Sequence, residues 1–387
     1  MKLSKNLERL GTESAFAILA EAKKIEATGK KMINLGIGQP DFKTPKHIMD
    51  AAKKAIDDGH HGYVVSNGIL ECREAVCRKI KKLYGTDINP DSIIITPGGK
   101  PTLYFAISMF GEPGSEIIYP EPGFPVYESM INYTGSKAVP YNLLDEKDQK
   151  FDPEKILSLI NEKTRMLVII NPNNPTGSFV ERSTIDYLAE KLKKYPNIII
   201  FSDEIYSRQV FDDKEMPSFF NYPELRDRII ILDGWSKTYA MTGWRLGWSY
   251  WPKKCIEHIV KLITNSVSCV NVPTQYAGIA ALDGPDDFIN LMMKEFTYRR
   301  NLIHKLLNNL PGVECSLPGG AFYAFPNVKG TGMSGTEFAK KCMYEAGVAT
   351  VPGTAFGSNA EDFVRFSFAA SEDNISEALE NIKKMLD

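Results

Sequence analysis

Short, unbroken apolar runs dominate the pattern of this chain. "SIIIT" (92–96), "MLVII" (166–170), "NIIIF" (197–201) and "RIIIL" (228–232) are apolar at consecutive positions and rich in β-branched residues, and "EIIYP" (116–120) is of the same kind. Strands of this composition are buried on both faces, as in a parallel sheet covered by helices. Between them lie stretches such as "TIDYLAEKLKKY" (184–195), where apolar residues return at helical spacing. The pattern predicts an α/β fold with a mostly parallel central sheet flanked by helices.

From about Gly284 the texture changes to a long charged helical stretch, "DDFINLMMKEFTYRRNLIHKLLNNL", succeeded by "GGAFYAFPNV". This predicts a smaller α+β domain made of residues 285–387 together with residues 1–44, and a large domain spanning 45–284. No repeat or low-complexity tract divides the chain further.

The segments at the ends of the apolar runs carry more information than the runs themselves. "PGGKPT", "EPGFPVY", "NPNNPTG", "SDEIY" and "DGWSK" all come directly after a run. Ligands of open α/β sheets sit outside the carboxyl ends of the strands, so these five segments are expected to converge on one crevice.

Composition narrows the function. The 387 residues carry a formal net charge of -2, which gives no electrostatic reason to expect nucleic acid or an anionic membrane as partner. No apolar stretch approaches a membrane span, and the "AFAILA" of the N-terminal segment is closed by Glu21, as in an amphipathic helix. Six cysteines without a CxxC pair fit reduced thiols in the cytoplasm. The histidines contain no HExxH, and the isolated Cys255/His258 spacing reads as a helix surface, so no metal site is expected.

Lys237 stands just beyond a buried run, where a lysine in a cleft can form a Schiff base once its surroundings lower the amine pKa. Asp203 also closes on a buried run; a carboxylate there needs a cation or several donors, either a protonated ring nitrogen or the N–H groups of a helix next in the chain. "TPGGKPT" (96–102) lets backbone N–H groups approach a phosphate at a helix N-terminus, and Arg245 can add a charged bidentate contact.

"SKTYAMTGWRLG" (236–247), "NPNNPTG" (171–177), "SDEIY" (202–206), "GIGQPDF" (36–42), "YVVSNGILECREA" (63–75) and "VRFSFAASEDN" (364–374) together resemble the class I/II aminotransferases of the fold-type I pyridoxal-phosphate family, in that family's order and over nearly the whole chain. The resemblance implies pyridoxal 5'-phosphate as cofactor, held by Lys237 as a Schiff base, with Asp203 on its ring nitrogen. It implies that Asn174 and Tyr206 bond the phenolic oxygen, that Phe124 stacks on the ring, and that Gly99, Lys100, Ser236 and Arg245 surround the phosphate. Tyr63 would reach the phosphate from the partner subunit of a homodimer. Arg365 would clamp the substrate α-carboxylate, with Gly38 lining the site. Two positions depart from the pattern: Gly234 stands where many relatives have a serine, and Trp235 is bulkier than usual.

Lys100 resembles a residue that meets the distal carboxylate of dicarboxylic substrates, and Ser14 a second lining residue, whereas Phe16 favours a more apolar substrate. An unpaired cation facing an apolar group costs roughly one to three kcal/mol, which favours aspartate as donor and 2-oxoglutarate as acceptor. Aromatic amino acids including kynurenine, alanine, and a carbon–sulfur β-lyase on the same scaffold remain alternatives. A ligand-sensing regulator would call for a DNA-binding module, and the about thirty residues before "INLGIGQPDF" are not notably basic.

Overall fold

A computed structural model describes residues 1–12, 14–144 and 151–387, Ser14 by its backbone alone. Seven strands build the main sheet: β1 (Ile93–Thr96), β2 (Glu116–Glu121), β3 (Lys137–Asn142), β4 (Thr164–Ile170), β5 (Ile199–Asp203), β6 (Ile229–Gly234) and β7 (Gly247–Tyr250), in the order β1-β7-β6-β5-β4-β2-β3. β7 runs antiparallel to both of its neighbours, and every other pairing is parallel. The five apolar runs became β1, β2, β4, β5 and β6. Each is buried along almost its whole length, because helices cover both faces.

Two strands carry no such signal in the sequence. β7, "GWSY", has no β-branched residue, and it is buried only because β1 and β6 enclose it. β3, "KAVPYN", lies at the sheet edge, where a proline without an N–H is tolerated. Strand ends also move: β5 runs to Asp203 itself, so the aspartate is the last strand residue and does not lie beyond the strand.

The chain's two ends meet. Ile33–Asn34 pairs in parallel with Val348–Ala349, and β8 (Tyr323–Ala324), β9 (Val351–Pro352) and β10 (Val364–Ser367) form an antiparallel sheet in the order β9-β10-β8. Ile33 and Leu35 share a core with Phe296, Phe322, Phe338 and Phe366. The N-terminal segment forms a helix, Ser14–Glu26, after a short 3-10 turn at Lys5–Arg9, and the charged C-terminal stretch is one long helix, Asp287–Asn308. Among the described residues no helix is long and apolar enough to cross a membrane.

Candidate active site

The carboxyl ends of β1, β2, β4, β5 and β6 open onto one cavity of about 450 Å³. Each segment singled out in the sequence delivers to it. Gly99 and Lys100 come after β1, Phe124 after β2 and Asn174 after β4; Asp203 ends β5 with Tyr206 just beyond, and Ser236 and Lys237 come after β6. Arg245 enters from the loop before β7, Arg365 from β10 and Gly38 from the N-terminal segment.

Of the two other expected residues, one is not among the described residues lining it and the side chain of the other is not described. Tyr63 is 91% exposed and lies away from its own chain's cavity. The Ser14 side chain is outside the described residues, although its neighbours Ala15 and Phe16 line the cavity.

One corner is made for an anion. The Thr96 hydroxyl donates to the Gly98 carbonyl at 2.7 Å, and the Gly98 N–H donates to the Thr96 carbonyl at 2.8 Å, winding the chain tightly from β1 into the helix Lys100–Phe110. Gly98 has φ +87°, and a Cβ there would lie 2.3 Å from Arg245 Nη2, so the guanidinium rests directly on the glycine. Arg245 itself adopts φ 52°, a left-handed conformation that costs a non-glycine residue on the order of 1 kcal/mol or more, and its Nη1 donates to the Thr242 carbonyl at 2.8 Å. A cation and the N-terminus of a helix thus face one spot.

The two departures from the family pattern have a packing explanation. The Trp235 indole is fully buried and donates to the Gly278 carbonyl at 2.9 Å, away from the cavity. At Gly234 a Cβ would stand 3.1 Å from Gly247 Cα, so a serine there would press on β7.

At the end of β5, Asp203 is buried, with Oδ2 accepting from the Tyr127 hydroxyl at 2.6 Å and Oδ1 from the Ile205 N–H at 3.2 Å. No helix comes next to be capped; the chain enters a turn. Burial pushes its carboxyl up to about 6, against the opposing pull of the Tyr127 and Ile205 hydrogen bonds and the Lys237 charge. A protonated ring nitrogen placed against it would offset that desolvation.

The Lys237 ammonium donates to the Gly38 carbonyl at 2.5 Å and lies 5.9 Å from the centre of the Tyr206 ring. Arg365 is only 4% exposed; its Nη1 donates to Asn174 Oδ1 at 2.8 Å and its Nη2 to the Gly36 carbonyl at 2.5 Å. Because arginine can only donate, Asn174 must turn its oxygen to Arg365, which leaves its amide N–H groups for another acceptor. The Lys100 ammonium sits over two rings, 5.4 Å from the centre of Phe16 and 5.5 Å from that of Phe124.

Residues 30–382 match the family described as Aminotransferase class I and II. The chain belongs to that family. An aspartate aminotransferase of Pyrococcus horikoshii is 40% identical to it, over 92% of this chain and 91% of that protein. A (5-formylfuran-3-yl)methyl phosphate transaminase of Methanocaldococcus jannaschii is 39% identical over 99% of each chain. Among solved structures, the aspartate aminotransferase of Rhizobium meliloti superposes with a TM-score of 0.94 at 31% identity, covering 100% of this chain and 99% of that one. This aminotransferase uses pyridoxal 5'-phosphate, and the buried Asp203, the anion corner at Gly98 and the cavity between them fit that cofactor.

Sequence reasoning missed Tyr127 and Tyr323. Tyr127 ends the quoted "EPGFPVY", so its place after a strand was visible, but its bond to Asp203 was not. Tyr323 lines the cavity from β8 and bonds Tyr206, hydroxyl to hydroxyl, at 2.8 Å; nothing in "GGAFYAF" marks it.

Proposed function

We propose that this aminotransferase moves the amino group of L-aspartate to 2-oxoglutarate, acting as a cytoplasmic homodimer with shared active sites. The observation that carries the substrate assignment is that Arg365 and Lys100 line the same cavity, Arg365 for the α-carboxylate and Lys100 for the distal carboxylate. Relatives named aspartate aminotransferase, such as that of Pyrococcus horikoshii, support it. The rings of Phe16 and Phe124 beside Lys100 favour aromatic amino acids as the second reading.

When bound, pyridoxal phosphate supplies an electron-withdrawing ring that stabilises negative charge at the substrate Cα. Asp203 would hold positive charge at the ring nitrogen, Asn174 and Tyr206 would donate to the phenolic oxygen, and Phe124 would cover the ring face. Gly99, the Lys100 backbone, Ser236 and Arg245 would hold the phosphate, which leaves the Lys100 ammonium for the distal carboxylate. Arg365 orients the α-carboxylate so that the Cα proton faces Lys237, whose Nζ takes it and returns it as general base and acid.

Residues 1–44 and 285–387 form the smaller domain in this proposal, and residues 45–284 the larger; the shared core of Ile33, Leu35, Phe296 and Phe366 supports that division. Tyr63 acts on the partner's phosphate, supported by its exposure beside the exposed Val65 and Leu70. The unpaired thiols of all six cysteines support a reducing compartment.

A panel of amino-acid donors in single-turnover half-reactions, repeated with Lys100→Ala, tests the substrate assignment. Aspartate and glutamate should react fastest and lose about ten- to a hundredfold in the variant, as one charged hydrogen bond is removed. Phenylalanine or alanine outpacing aspartate, with no effect of Lys100→Ala, would remove the acidic-substrate reading and leave the aminotransferase intact.

A further inference from the structure

β8 and β10 pair antiparallel with Tyr323 opposite Ser367, so Tyr323 and Arg365 project from the same face of the small sheet. The guanidinium of Arg365 lies 4.5 Å from the centre of the Tyr323 ring. On another side the phenol meets Gly38: a Cβ on that glycine would stand 2.1 Å from the Tyr323 oxygen. Tyr323 is 1% exposed, so these contacts hold its hydroxyl in one place, 2.8 Å from that of Tyr206.

Two hydroxyls sharing one hydrogen bond present a choice of donor. A tyrosine has one proton, and if Tyr206 gave its proton to Tyr323 it could not donate to an oxygen in the cavity. We infer that Tyr323 is a positioning residue that donates its proton to Tyr206, so that the Tyr206 hydroxyl proton points at the phenolic oxygen of the cofactor. The inference rests on the proposed role of Tyr206 as donor to that oxygen.

Arg365, Asp203 and Lys237 are the charged groups placed against Tyr206, and burial before all else pushes its ionisation well above the usual tyrosine value, with Arg365 opposing. Tyr206 therefore keeps its proton and acts as donor throughout the working pH range.

A hydrogen bond to the ionised phenolic oxygen favours the form of the bound cofactor in which that oxygen carries its full charge, which is the form with the imine nitrogen deprotonated. The pH at which the visible absorption band changes thus reads the strength of the Tyr206 donor. In Tyr323→Phe, which keeps the ring under Arg365 but removes the donor, the midpoint should rise by roughly half to one pH unit. Tyr206→Phe should raise it further in the same direction. The double variant should match Tyr206→Phe, because Tyr323 has nothing to orient once that hydroxyl is gone.

A Tyr323→Phe protein titrating like wild type while Tyr206→Phe is shifted overturns the inference, as does a double variant in which the two shifts add. A wild-type protein with no visible band would instead sink the cofactor role of Lys237, and an unshifted Tyr206→Phe would sink the role of Tyr206.

Discussion

Asp233, the fifth residue of β6, is a carboxylate that the amino-transfer chemistry does not use. It is half-buried, with Oδ2 accepting from Ser207 at 2.9 Å and Oδ1 from the Gly234 N–H at 2.6 Å, and loss of hydration pushes its carboxyl up to about 8. Its folded pKa lies above the unfolded value of 3.8, so the native protein holds the proton more tightly than the unfolded chain. The cost of ionising it is absent below pH 4, grows as pH rises, and is complete above about 8. Asp233→Asn keeps an acceptor for Gly234 and can donate to Ser207, so it should raise the melting temperature of cofactor-free protein at pH 8 and converge with wild type near pH 4. An identical pH dependence of the two proteins would count against this. Lys237→Ala belongs to the same scale: it should abolish the covalent cofactor band and cut transamination by at least about a thousandfold. A variant turning over at the wild-type rate would dismiss Lys237 as the reacting amine.

The unit proposed to hold the phosphate is the β1–turn–helix element braced by β7, and no single residue of it would suffice. The turn needs Gly98 for two separate reasons, its φ of +87° and the guanidinium of Arg245 against its Cα. Gly98→Ala should therefore push Arg245 off the turn and weaken cofactor affinity about tenfold or more, an effect of one charge-assisted hydrogen bond plus backbone strain. Equilibrium binding of pyridoxal phosphate to the cofactor-free variant measures it, and unchanged affinity would show that Arg245 does not hold the phosphate. The helix Val272–Asp283 is fitted to the other side of the same region, since Gly278 leaves the space that the Trp235 indole fills. A bulky residue at position 235 is thus accommodated by a second element.

At the scale of the whole molecule, a cavity built by one chain lacks the aromatic hydroxyl that Tyr63 would bring from a second. Tyr63→Phe should leave the fold unchanged and weaken cofactor retention several-fold, and wild-type activity per subunit should fall on dilution below the dimer dissociation constant. Activity that stays constant while sedimentation shows monomers would dismiss the shared site.

The fold class and the charged residues that line the cavity were legible because each leaves a local trace. Continuous β-branched runs mean strands buried on both faces, and Lys237, Asp203, Arg245 and Arg365 carry charges that the chain places only where something answers them. Geometry between distant segments left no such trace. Tyr323 and Tyr206 are 117 positions apart, and Tyr127 and Asp203 are 76 apart, and only the packed sheets bring those hydroxyls to their partners. β7 was hidden for the same reason, since its strand character comes from β1 and β6 on either side and not from its own side chains. Local composition determined what each segment could do; the closing of the sheet and the return of the C-terminal strands decided which of them met.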